Sequence, residues 1–279
     1  MASGIAGKAM VIVVPGRTDR AFYKALLRGA LRLAGASVTD LDSSRARGEK
    51  EDFLRRQVRL SERVVRVAAL RADRERAVLR VAILDAEGRV VDRAADILSL
   101  HGGFRSPSIH ALAVVDDPEE RSFEEALQSL HDALTSKSRG EYDVGKLLGE
   151  GATYRLYSAR RPPVALLLIA QGVPTLSVAP KHAVEDYVLY VKSEKLEELR
   201  GQCRMSLRNA VHKKLALLLA VACSYTSLET FIYHELDDSS IRRLLSSCPE
   251  LAKLRDVALT LLERAGNGAR CTEGRSLRG

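Results

Sequence analysis

The 279-residue chain has no CxxC pair and no cluster of cysteine with histidine, so the spacing of a structural zinc site is missing. Its four cysteines, Cys203, Cys223, Cys248 and Cys271, lie 20 or more residues apart in the C-terminal part, and reduced thiols in a cytoplasmic protein are expected. No apolar run approaches the ~20 residues of a membrane span. Leu215–Cys223 and Val164–Ala170 both stop well short, so no membrane partner is expected. One lysine precedes a short apolar run assigned to a core strand, and no signal peptide is read there. No GK[ST] follows Gly16, which excludes a P-loop. No Ser/His/Asp or Cys/His pairing has the spacing of a nucleophilic site, and the scattered His182, His212 and His234 are taken as structural. Internal repeats and heptads are absent as well.

What is present is charge. The chain is 46% hydrophobic and 29% charged, with a formal net charge of +8 and a pI near 9.4, and arginine far outnumbers lysine. A basic excess favours polyanion partners, DNA or RNA, because neutralising phosphates releases counterions. The same arginine-rich composition equally suits a protein from a hot environment, where ion-pair networks carry stability. A homo-oligomer is left open.

Residues 10–27 read as a buried strand, a sharp turn and an amphipathic helix. Met10–Val14 is short and rich in β-branched residues, the mark of a central parallel strand. Pro15-Gly16 stops it, and Thr18 or Asp19 is placed to cap a helix over 19–33. The amides of that helix start, with Gly16, Arg17, Asp19, Arg20 and Lys24, form a candidate phosphate site.

Further along, 36–41 reads as a short strand, 49–72 as a long charged helix, and 77–84 as a strand ending in Asp85 and Glu87. A helix over 90–100 leads to a strand at 109–115, which ends in Asp116-Asp117-Pro118-Glu119; a helix over 122–134 follows. In an open α/β sheet, ligands bind outside the carboxyl ends of the strands, where these acids would lie. Residues 135–163 read as an insertion with a hairpin, 143–148 against 154–158. Then come the very apolar strand 164–170, a helix opening at 181–191 with Glu185 and Asp186 in its first turns, and helices throughout 193–265. The Gly/Arg-rich 266–279 reads as a disordered tail. The expected architecture is an α/β domain over 1–192, with a mostly parallel sheet flanked by helices, and an α-helical C-terminal extension.

The joint Val13-Val14-Pro15-Gly16-Arg17-Thr18-Asp19 resembles the first motif of Toprim domains, where a strand ends in Glu-Gly and an Asp follows. Asp116-Asp117-Pro118-Glu119 resembles the second motif, an Asp-x-Asp at a later strand end, with Asp85/Glu87 as its rival placement. His182–Leu189, with Glu185 and Asp186, is similar to the acidic helix start of the old-like nucleases and uncharacterised archaeal Toprim-like proteins. The likeness spans roughly 8–192. It departs from the family at Pro15, where a Glu is expected, and at Pro118, where the second Asp is expected.

The resemblance implies nucleic-acid processing by Mg²⁺- or Mn²⁺-dependent phosphoryl transfer, as in a nuclease. Asp116 and Glu185 would then be catalytic, with Asp116, Asp117, Glu119, Glu185 and Asp186 as metal ligands. The alternative is a catalytically degenerate domain that binds nucleic acid or protein, since Pro15 offers no titratable group.

Overall fold

A computed structural model describes residues 7–60, 66–102, 108–173, 183–195, 197–198 and 212–273. The elements in order are β1 (Lys8–Val14), α1 (Arg17–Leu33), β2 (Ser37–Asp40), α2 (Arg47–Phe53), β3 (Arg66–Arg74), β4 (Ala77–Asp85), α3 (Val90–Gly102), β5 (Ala111–Asp116), α4 (Phe123–Lys137), β6 (Lys146–Gly151), β7 (Tyr154–Ser158), β8 (Ala165–Ala170), α5 (Glu185–Val191), α6 (His212–Ala222), α7 (Leu228–Glu235), α8 (Asp238–Ser247) and α9 (Pro249–Glu273). A 3-10 turn, Ser44–Ala46, precedes α2, and a π turn, Leu54–Val58, follows it.

Among the described residues the strands form one eight-stranded sheet in the order β2-β3-β4-β1-β5-β8-β7-β6. The four middle strands, β4-β1-β5-β8, run parallel. On either side the pairings β2–β3, β3–β4, β6–β7 and β7–β8 are antiparallel. The expectation of a mostly parallel sheet is therefore corrected: the sheet is mixed, and antiparallel pairings outnumber parallel ones.

Two misassigned stretches explain the difference. The helix expected over 49–72 ends at the π turn, where Arg59 turns left-handed at φ 63°. Arg66–Arg74 is instead an antiparallel strand that returns through the two-residue turn Glu75-Arg76 into β4. Alanine and arginine give RVAALRADR a helical look, but pairing with β2 and β4 outweighs that local preference. The stretch expected as an insertion carries β6 and β7, and β7 pairs with β8, so the hairpin extends the main sheet. Its outer strand β6 has a register shift between Leu147 and Gly149.

Alternation along the strands distributes the core onto two faces. Met10, Ile12 and Val14 pack with α1 and the C-terminal helices, whereas Ala9, Val11 and Val13 pack with α3, α4 and the segment Phe53–Val58. The C-terminal helices thus complete one of the two helical layers over the sheet. Gly29 marks the tightest join within that layer: a Cβ there would stand 2.0 Å from Ile241 Cδ1 of α8. Helix α4 opens with a reciprocal capping box between Ser122 and Glu125. Helix α9 runs to Glu273, through the start of the expected tail, and residues 274–279 lie outside the described residues. Of the helices expected throughout 193–265, residues 196 and 199–211 also lie outside them.

Candidate acidic site at the carboxyl rim

The parallel strands β1, β5 and β8 end at one rim, and the chain leaves β5 and β8 through the polar residues Asp117 and Gln171. After β1, Pro15 and Gly16 turn into α1. Gly16 is the N-cap, its carbonyl accepting from the Arg20 N–H at 3.1 Å, and it makes no side-chain cap. The capping role expected of Thr18 or Asp19 is therefore corrected, since both lie inside the first turn. Asp19 bends back so that backbone hydrogen bonds at Gly16 and at Asp19 itself reach its carboxylate. The helix start orients this acid toward the sheet.

Directly after β8, Gln171 is fully buried. Its Nε2 donates to Asp19 Oδ1 and to Asp117 Oδ1, each at 2.5 Å. Its Oε1 accepts from the Tyr23 hydroxyl at 3.2 Å, which fixes the direction of the amide. Two carboxylates more than ninety residues apart in sequence thus converge on one amide. Glu185, buried in the first turn of α5, adds its negative charge to both.

The electrostatics follow from that crowding. Burial, outweighing the Gln171 hydrogen bond and aided by the Glu185 charge, lifts Asp19 to about 6. Burial first and the Asp19 charge second push Asp117 up to about 8. Asp116 is raised too, because burial outweighs its ion pair with Arg121, whose Nη2 lies 3.1 Å from Oδ2.

A second buried set lies beneath the rim. Phe22 stacks on Tyr187 with ring centroids 4.9 Å apart. The Tyr187 hydroxyl accepts from the Gly172 N–H and donates to Glu250 Oε1 at 2.8 Å, and Thr153 Oγ1 donates to Glu250 Oε2. Glu250, in the first turn of α9, is fully buried, and burial raises its carboxyl above the usual range.

The structure gathers Asp19, Asp117 and Glu185 at this centre, with Asp116 beside it and clasped by Arg121. Glu119 is exposed in a left-handed turn at φ 54°. Asp186 is buried, and its Oδ2 accepts from the Val173 N–H. The rival Asp85 holds its own turn by accepting from the Glu87 N–H, and Glu87 lies 3.7 Å from Arg66. The cations expected to meet phosphate are engaged within the chain. Arg17 lies 3.2 Å from Glu229, Arg20 3.9 Å from Asp85, and Lys24 2.7 and 2.6 Å from Asp40 and Asp42. His234 stacks on Tyr225; His182 lies outside the described residues.

Sequence reasoning missed Gln171, Tyr23, Tyr187 and Glu250. A polar residue immediately after the chain's most apolar strand was the signal for Gln171. Nothing local signals Glu250, which reaches the site from α9, a helix that starts 78 residues after Gln171.

Carboxylates are donors suited to a hard divalent cation, and the raised carboxyls of Asp19 and Asp117 mark a place where added positive charge would be favourable. Among the described residues no group of three His, Cys, Asp or Glu side chains is arranged to hold a metal ion. Two carboxylates alone would leave the rest of a divalent ion's coordination to water. No family model, curated protein or solved structure matches the chain.

Proposed function

We propose that the chain is a Toprim-like nucleic-acid-processing protein whose acidic rim acts on a phosphodiester in DNA or RNA with Mg²⁺ or Mn²⁺. The observation that carries this reading is the convergence of Asp19 and Asp117 on one amide, with the Glu185 charge beside them, at the carboxyl rim of parallel strands. Asp117 and Asp19 would hold the ion, in place of the Asp116-centred set that the sequence suggests. When bound, a divalent cation supplies charge stabilisation at phosphate and a more acidic water. Gln171 holds the two carboxylates at a fixed separation, and Tyr23 keeps its amide in register. Arg121 neutralises Asp116 and leaves Asp117 as the acid turned into the centre.

Purified protein with Mn²⁺ is expected to nick supercoiled plasmid or cleave RNA. Asp117→Ala should lower the rate at least about a hundredfold, the scale of one lost electrostatic or acid–base contribution. Asp116→Ala should cost far less. Full activity in Asp117→Ala would remove the acidic rim from the mechanism.

A second reading is supported by Pro15 at the place of the family's acid and by the Gln171 amide lying between the carboxylates. It is a degenerate domain that binds nucleic acid without cleaving it. That reading requires no cleavage with either metal, together with an affinity that persists in EDTA and falls steeply with salt.

A further inference from the structure

At the opposite end of the parallel strands, away from the acids, the chain lines an open cavity of about 430 Å³. Lys8 at the start of β1, His110 just before β5 and Ala165 at the start of β8 form its floor, the β6–β7 hairpin one wall and α9 the other. Its volume lies within the range typical of small-molecule sites, which are largely apolar with a few polar groups that fix orientation.

The walls are apolar: Leu148 and Leu156 from the hairpin, Val164 ahead of β8, and Val257 and Leu261 from α9. Leu148 is 59% exposed, the most solvent-facing leucine of the described residues, so an occupant would cover surface that otherwise meets water. The charges are one-sided. Lys8 and Lys253 line the cavity, and the one lining acid, Asp256, is held by Arg255 at 2.7 Å. Lys253 Nζ stands over the Tyr154 ring, 5.8 Å from its centroid, a cation–π contact that holds the ammonium beside the hairpin wall. His110 adds a donor. Its Nδ1 accepts from the Ala9 N–H at 3.3 Å, so the neutral ring carries its proton on Nε2.

We propose that this cavity is a binding site for a small amphipathic anion, with a carboxylate or phosphate head between Lys8 and Lys253 and an apolar body along Leu148, Leu156 and Leu261. The site stands independently of the acidic rim, and its ligand class does not follow from any chemistry at that rim. Fatty carboxylates and alkyl phosphates share the required chemistry, and the head that binds more tightly identifies the source.

Calorimetric titration of the full chain with octanoate and with octyl phosphate tests it, with octan-1-ol and inorganic phosphate as the body and the head alone. One saturable site is expected for at least one of the two anions. Octan-1-ol, inorganic phosphate and the K8M/K253M double variant should each weaken binding by about tenfold or more, the loss of one charge-assisted contact or of the buried body. In the wild type, ligand should also raise the His110 titration point, which burial and the Lys8 charge hold down at about 4. Failure of both anions to saturate overturns the proposal. So does unchanged binding in the double variant, which would place the ligand elsewhere, as on the exposed Leu217, Leu218 and Val221 of α6.

Discussion

Asp117 shows how far a neighbouring chain segment can move a single group. Two segments that meet only in the folded protein, the start of α1 and the start of α5, supply the charges that combine with burial to lift its carboxyl to about 8. The unfolded chain releases that proton near the ordinary value of about 3.9. Between these points the native state binds more protons than the unfolded one, so stability falls as pH rises. Asp19, raised to about 6, acts in the same direction over a narrower window. With chelator present, the melting temperature is expected to drop steadily from pH 5 to pH 8. The limiting slope is about 1.4 kcal/mol per pH unit for each proton involved. Asp117→Asn should flatten the upper part of that curve. A melting curve flat across this range would show that neither carboxyl is displaced. Both acids were visible in the sequence as strand-end or turn residues. The strand-end rim where they meet was legible too, but the amide that joins them was not, because Gln171 has no motif around it.

At the level of elements, the helices that open on unmistakable caps were placed well from sequence, and the strands without a local signal were not. Ser122 with Glu125 is such a cap, and α4 begins one residue after Ser122. Ser122→Ala is expected to cost about 1 kcal/mol of unfolding free energy, measured by urea denaturation. The strands Met10–Val14 and Ala77–Asp85 were legible as apolar runs because both of their faces are covered. β3 was not, since its alternation is blurred by alanines that suit either state; only its partners decide. The packing of α1 on α8 was equally hidden, for it rests on one absent side chain. Gly29→Ala would drive a methyl into Ile241, and a loss of about 1–3 kcal/mol is expected from overpacking. The same denaturation experiment reads it, and an unchanged midpoint would mean that Ile241 moves aside freely.

For the molecule as a whole, the apparent boundary at residue 192 is not a boundary of the core. Leu215, Leu219, Phe231, Ile241, Leu244, Leu251, Leu254 and Ala258 share one hydrophobic cluster with Met10, Ile12 and Leu26. Glu250 ties α9 to Tyr187 and Thr153 at the same time. A chain ended at Lys192 would leave that sheet face and the inner side of α1 open to water. It is expected to lose cooperative unfolding and to aggregate on expression, as checked by calorimetry and gel filtration; a sharp transition would show the α/β part to be autonomous. Composition reports the basic excess and the apolar content of the chain. It could not show that helices late in the chain are needed to cover strands at its start, because such pairing leaves no trace in local periodicity.

The shifted register in β6 bears on how the protein behaves in a crowded solution. A sheet margin with a straight row of open amides and carbonyls invites another molecule to add its own strand, and repeated addition grows into fibres. The extra residue between Leu147 and Gly149 breaks that row midway, so an incoming segment finds no continuous template even though two leucines stand beside it in water.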